Sequence, residues 1–324
     1  SDFDGDAQRR DLQLEARAHI RVQQELDHLH AAGQLGEPAA VEHVRWLHRA
    51  FYADATPGML RVTHPTGDFA LTPGEFRSEP RHDNAVGQHV PPSSERVPEF
   101  MAHFAKRYRF EPLGRASQVV AMAASHHRLN YIHPFIDGNG RVSRLMSHAM
   151  ALKAGIGANG LWSISRGLAR GLVEPSEYKS MMDMADSPRR GDLDGRGNLS
   201  RQALIAFVTW FLQVARDQLR FMRELFDLGE LSTRLRAYVV QTLHGNDAAV
   251  ALAVETLRRG ELARGDAGPV TGRPERTARA ALSKLLESGL LASETPKGPV
   301  RVRFPIASVE ALFPRLFPAQ AGLV

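Results

Sequence analysis

The 324-residue chain contains no cysteine. That excludes a disulfide scaffold, a thiolate metal site and a Cys nucleophile, and it fits a reducing cytoplasm. The chain also lacks any apolar run of membrane-spanning length and any signal-peptide pattern at its start, so a soluble, cytoplasmic protein with no membrane partner is expected. Ser1 in place of Met points to residues upstream or to a removed tag. Charge of one sign is not in large excess either. A net charge of +5 does not call for nucleic acid over the whole surface, so what matters is where the basic residues gather. A hydrophobic content of 43% over this length is enough for two domains with cores of their own.

Chemistry-bearing residues are concentrated in one stretch, His133-Pro134-Phe135-Ile136-Asp137-Gly138-Asn139-Gly140-Arg141-Val142-Ser143-Arg144. After Gly140, the positions Val142, Leu145, Met146, Ala149 and Met150 trace the apolar stripe of an amphipathic helix that stops near Gly155. Arg141 and Arg144 lie on another face of its first turns. A helix N-terminus is already electropositive, so two arginines there are unfavourable unless an anion is bound. Gly138 and Gly140 let the backbone curl close to a phosphate, with Asn139 between them as a side-chain donor. Asp137 beside such a nest implies a divalent cation between carboxylate and phosphate, most often Mg²⁺ with a nucleotide. His133, just outside the cradle, is placed to take a proton from an incoming hydroxyl. A lone Gly-Asn-Gly is usually a turn and a His before Pro usually ends a helix; it is their combination that points to a site. Phe135 reads as a core anchor and Pro134 as the stop of the preceding helix.

The stretch resembles the signature of Fic-domain proteins, His-x-Phe-x-(Asp/Glu)-Gly-Asn-Gly-Arg-x-x-Arg, with every specified position matched. The resemblance implies a mainly α fold and a protein adenylyltransferase that moves AMP from ATP to a Ser, Thr or Tyr hydroxyl of a target protein. It also implies His133 as the base, Asp137 as the Mg²⁺ ligand, Gly138, Asn139 and Gly140 as the phosphate loop, and Arg141 and Arg144 as contacts to the β/γ side of ATP. Many family members carry an inhibitory (Ser/Thr)-x-x-x-Glu-(Gly/Asn) motif on an N-terminal helix. Between Asp2 and Ala55 this chain has no Ser or Thr, so that motif cannot be written, and the site is expected to be open from that side. The local pattern at Ile20-Arg21-Val22 puts Arg21 where the inhibitory Glu would stand.

Residues 1–55 read as N-terminal helices over about 8–31 and 38–53, and 56–228 as the Fic-type core. Within it, Pro73 to Arg77 and Ala85 to Pro92 resemble the two arms of the family's β-hairpin flap, with Val86 and Gly87 docking the target segment by strand addition. Helices are expected from Val97 to Tyr108 and from Ala116 to Ile132, the second with Val119, Val120, Ala123, Ala124, His127 and Tyr131 on one side. His126 and His127 point apart on a helix with no carboxylate at ligand spacing, which favours buried polar packing over a metal site. The segment 189–198 fails as a calcium loop because Arg196 stands at a ligand position. Ser200 caps a long helix ending near Leu228. After a connecting helix (229–245), helices near 247–259, 261–266 and 274–288 and a hairpin around Pro296-Lys297-Gly298 give the order of a winged helix-turn-helix (246–305), with 306–324 as a tail. Arg273, Arg276 and Arg279, with Ala280, Leu282, Leu285 and Leu286 turned inward, and Arg301 and Arg303 in the wing, are the candidate DNA contacts; a protein-docking module is the alternative. Two other functions stay open, a DNA-binding regulator using the site as a nucleotide sensor and a Fic enzyme with another donor such as UMP or phosphocholine. Homodimerisation also stays open.

Overall fold

A computed structural model of the chain describes residues 7–64, 67–83, 85, 89–157 and 162–316. The chain divides into two compact units, 1–219 and 220–324. In the first, helices α1 (Ala7–Ala31) and α2 (Val41–Phe51) are followed by a hairpin of β1 (Arg61–His64) and β2 (Gly67–Ala70). These strands pair antiparallel with Val62 opposite Phe69. Then come α3 (Val97–Arg107), α4 (Arg115–Ile132), α5 (Asn139–Lys153), α6 (Ile164–Arg170), α7 (Glu177–Ala185) and α8 (Arg201–Leu225).

The centre of this unit is the α4–α5 pair, joined by residues 133–138. Both helices are rich in Ala, Ser and Met, whose small or pliable side chains let neighbours approach from all sides. As a result residues 121–127 are buried without interruption. The one-sided stripe expected for α4 is corrected accordingly: Val120 is exposed, and the buried face widens into a full circumference because α3, α5 and the Phe207 and Phe211 rings of α8 all close on it. Helix α1 packs across α2 and α5.

His126 and His127 are tolerated in this interior because each has a polar partner. His127 Nε2 lies 3.0 Å from Asp186 Oδ1, a carboxylate that arrives from the end of α7 and was invisible at helical spacing. Among the described residues no group of three His, Cys, Asp or Glu side chains could hold a metal. The 189–198 loop folds on Asp194, whose carboxylate accepts from the Arg190 and Gln202 N–H groups, both at 2.9 Å. Ser200 caps α8 as expected, accepting from the Ala203 N–H at 3.1 Å.

A hairpin forms at 61–70, and the described residues 73–77 carry no strand. Pro73 to Arg77 is irregular because its N–H groups are engaged elsewhere: Gly74 N donates to His48 Nδ1 (2.8 Å) and Arg77 N to Pro134 O (2.9 Å). Val86 and Gly87, the expected docking residues, lie outside the described residues.

The second unit contains α9 (Leu228–Gln241), α10 (Asp247–Arg259), α11 (Ala267–Thr271), α12 (Glu275–Glu287), the short antiparallel pair β3 (Leu291–Ala292) and β4 (Arg301–Val302), and α13 (Ile306–Leu312). Asp227 caps α9 and Asn246 caps α10. The core joins Leu235, Leu252, Ala278, Leu285, Leu290 and Val300. Three expectations are corrected here. The helix placed at 261–266 forms at 267–271, since Leu262 instead bridges Val300 in the manner of a strand. Residues 306–312 form a helix whose Leu312 is buried, so that part of the expected tail belongs to the core. Ala280 is exposed, and Ala278 and Ala281 face inward in its place. Among the described residues no helix is long and apolar enough to cross a membrane.

Candidate active site

Helix α4 ends at His133, whose backbone is left-handed (φ 50°, ψ 58°), an uncommon conformation for a residue with a side chain. Gly138 is also left-handed (φ 85°) and forms the N-cap of α5. A Cβ at Gly138 would lie 3.0 Å from the Tyr52 ring and 3.3 Å from His48 Nε2, so glycine is required for both conformation and space. Gly140 differs: it is helical, and a Cβ there would make only ordinary contacts, the nearest Arg144 Nη1 at 3.5 Å.

The turn is closed from inside. Asn139, buried, accepts from the Phe135 N–H at 2.9 Å through Oδ1 and donates to the Phe135 carbonyl at 2.8 Å through Nδ2. This corrects the reading of Asn139 as a side-chain phosphate donor, because both of its polar atoms are engaged in the turn; its backbone N–H is what it can offer an anion. Phe135 is buried and stacks on His48 at 3.9 Å. His48 accepts from Gly74 N at Nδ1, so its proton sits on Nε2 and is donated to the Asp137 carbonyl at 3.2 Å. Burial lowers the His48 pKa to about 4, which keeps that tautomer in place.

The base candidate is also neutral. Burial, then the Arg77 charge, lower the His133 pKa to about 4. A neutral imidazole has one ring nitrogen with a lone pair able to take a proton.

On the α5 side, Asp137 Oδ2 accepts from Tyr52 Oη at 3.1 Å and from Arg141 Nη1 at 3.0 Å. Burial pushes the Asp137 carboxyl up, but Arg141, the Gly138 N–H and Tyr52 outweigh it, and the net shift is downward, keeping the carboxylate charged. A magnesium ion takes one or two carboxylates and fills its octahedron with water and phosphate oxygens, which suits a site with a single half-exposed carboxylate beside an anion cradle.

Arg144 and Tyr178 line the same cleft. The Ser143 carbonyl, 3.3 Å from His126 Nδ1, can only accept, which puts the imidazole proton on Nδ1 and sets the direction of the chain: Tyr178 Oη donates to His126 Nε2 (2.9 Å), His126 Nδ1–H to Ser147 Oγ (2.9 Å), and Ser147 Oγ to the Ser143 carbonyl (2.8 Å). Burial lowers the His126 pKa to about 3, consistent with the neutral tautomer this chain needs. Arg141, Arg144, Phe51, His19 and Tyr178 line a cleft of about 530 Å³.

A carboxylate from α1 also enters this cleft. Glu15 Oε1 accepts from Arg141 Nη2 at 2.6 Å. The expectation that the N-terminal helix leaves the site open is therefore corrected for Arg141. The family's motif is absent, yet α1 crosses α5 at a point where Glu15 meets the guanidinium without it. Arg21, the residue aligned with the inhibitory position, is elsewhere, donating to the Ala50 carbonyl at 2.7 Å and pairing with Asp54.

Residues 38–151 match the model of the Fic/DOC family. The match takes in the whole signature stretch, from His133 to Arg144. Over 82 residues, 25% of the chain, the sequence is 39% identical to the protein adenylyltransferase Fic of Drosophila erecta and 40% identical to that of Drosophila yakuba. The aligned part of the chain spans 16% of the length of each of these relatives. Among solved structures, the chain is similar to a Fic family protein from Desulfovibrio desulfuricans G20 (TM-score 0.44, 17% identity, 89% of this chain and 75% of that one). It is also similar to a Fic domain containing signaling protein from Bacteroides thetaiotaomicron VPI-5482 (TM-score 0.47, 18% identity, 69% and 75%).

In the Fic/DOC segment, Arg141 meets two carboxylates, and an incoming triphosphate has to compete with one of them. The Glu15–Arg141 pair is partly exposed, which puts it at about 1 kcal/mol. Glu15→Gln should therefore tighten ATP binding about fivefold. Unchanged or weaker binding in a titration would show that Glu15 does not compete with the nucleotide.

Proposed function

We propose that the Fic/DOC domain transfers AMP from ATP to a hydroxyl of a target protein, releasing pyrophosphate. The reading is carried by one observation: a neutral histidine and an anion cradle stand at the two ends of a single closed turn. At one end His133 offers an unprotonated ring nitrogen. At the other, the Gly138, Asn139 and Gly140 N–H groups at the start of α5 lie with Arg141 and Arg144. The fold itself gives little reason for glycine at 140, so the missing Cβ leaves room for a phosphate against the backbone.

In the proposed reaction the target hydroxyl oxygen bonds to the α-phosphorus, the bond from that phosphorus to the β-bridging oxygen breaks, and His133 takes the hydroxyl proton. Arg141 and Arg144 hold the departing pyrophosphate through charge-assisted hydrogen bonds. Asp137 would hold Mg²⁺, which supplies charge neutralisation across the phosphates when bound. Tyr52 orients that carboxylate, and burial, with the Asp137 charge beside it, keeps it a neutral phenol.

Relative to lysate without the protein, a whole-cell lysate incubated with the protein and ATP labelled at the α-phosphate should give additional labelled protein, while γ-labelled ATP gives no increase. His133→Ala should cut labelling by on the order of 10²–10⁴-fold with ATP affinity nearly unchanged. Equal labelling by the variant, or label arriving from the γ-position, would overturn the assignment.

We also propose that the second unit is a winged helix-turn-helix that binds DNA. Its favourable observation is the exposed pair Arg273 and Arg276 at the start of α12, with Arg303 exposed after β4. Two other candidate contacts already have acidic partners: Arg279 pairs with Glu275 at 2.5 Å, and Arg301 with Glu261 at 2.9 Å. Duplex affinity should fall steeply with salt and weaken in Arg273→Ala/Arg276→Ala. A protein partner captured by the same surface, with no duplex affinity at any salt, would favour the docking alternative.

A further inference from the structure

We propose that Arg77 is a positioning residue for His133, holding the base turn in place and tying it to Asp83 and Pro92. The proposal rests on the reading of His133 as the transfer base.

The last carbonyls of a helix have no intrahelical partner, and those of α4 lead directly into the base. Each of the four consecutive carbonyls 131–134 is met from one segment. His89 Nε2 donates to the Tyr131 carbonyl at 2.7 Å. Arg77 supplies the other three: Nη2 to Ile132 O at 3.2 Å, Nε to His133 O at 2.7 Å, and its backbone N–H to Pro134 O at 2.9 Å. The guanidinium also grips its own segment, with Nη1 donating to Asp83 Oδ1 at 2.5 Å and Nη2 to the Pro92 carbonyl. Asp83 in turn accepts from the Ser94 N–H at 2.9 Å.

A guanidinium 97% removed from solvent is costly to bury unless its donors are engaged and its charge is paired. Here the planar fork is filled by backbone acceptors on one side and a carboxylate on the other. The arrangement has a specific consequence at His133. That residue has φ 50°, a conformation that side chains adopt rarely and that persists only where the surroundings over-determine it. Arg77 provides that determination, by holding the carbonyl of His133 and those of the residues on either side. Lysine cannot substitute, since a single ammonium cannot reach acceptors spread over the width of the fork. Arg77 touches no reacting atom, so its effect on chemistry runs through the orientation of the His133 ring.

The test uses the full chain. In the unliganded protein, NMR of the His133 ring nitrogens should show one tautomer in the wild type and averaging between tautomers in Arg77→Ala. In the transfer assay Arg77→Ala should lose kcat on the order of 100-fold with nucleotide Kd within about twofold, since displacement of a catalytic group by about 1 Å costs that much. Millimolar guanidinium should restore part of that loss, a rescue that a purely structural role would not give. Should Arg77→Ala fail to fold, Asp83→Asn is read instead, because it leaves Arg77 in place while loosening its grip; it should shift the His133 ring signals in the same direction. A folded Arg77→Ala with an unaltered His133 ring and unaltered kcat, or an Asp83→Asn that lowers Tm alone, overturns the proposal. A wild type that transfers nothing from ATP rejects the proposed function, and the ring signals still decide the role of Arg77.

Discussion

The pair of hydrogen bonds between the Asn139 side chain and the Phe135 backbone is the constraint on which the rest of the site depends. It closes the turn between the C-terminus of α4 and the N-terminus of α5 from the inside, leaving the outer surface of that turn to His133, Asp137 and the α5 N–H groups. Because Phe135 is anchored against His48, and His48 is hydrogen-bonded to both the Asp137 carbonyl and Gly74, the turn is fixed to α2 and to the 73–77 segment as well as to its own helices. Accepting from Gly74 at Nδ1 requires His48 to be a neutral imidazole with its proton on Nε2, and burial supplies the neutral form there and at His126.

Three elements distant in sequence then determine the charge of the site. Helix α2 brings Tyr52 to the Asp137 carboxylate, α7 brings Tyr178 to Arg144, and α1 brings Glu15 to Arg141. The two arginines are therefore in different situations. Arg144 lines the cleft with Tyr178, which heads a buried hydrogen-bond chain, whereas Arg141 is shared between two carboxylates before any anion arrives. An anion entering the cleft changes the partners of Arg141 more than those of Arg144.

The amino-acid sequence made the signature stretch, the α5 helix and the capped start of α8 legible, since each rests on local rules: glycine conformation, helical period and a side-chain cap. It did not reveal which way Asn139 points, because a donor between two glycines reads equally well as facing a phosphate or facing its own turn. Glu15, Tyr52 and Arg77 carried no signal at all, since nothing in a helical repeat or an irregular segment tells which residue will meet a partner 55 to 126 positions away. The hairpin at 61–70 went unread for a related reason. Gly67 and Phe69 form strand where pairing is available, while Pro73 to Arg77, equally rich in turn residues, is held by long-range bonds to α2 and the base turn. In the second unit the helical periods were readable, but the ion pairs of Arg279 and Arg301 were not, and they reduce the positive charge that residue type alone implies.

The central claim is that one closed turn presents a base and an anion cradle to the same triphosphate. A crystal structure of the protein with Mg²⁺ and a non-hydrolysable ATP analogue tests it most directly. The account places the β- and γ-phosphates on the α5 N–H groups, Arg141 and Arg144, with Glu15 displaced from Arg141 and the α-phosphorus facing His133. A nucleotide bound away from the 137–144 segment, or one seated there with its α-phosphorus turned away from His133, would contradict it.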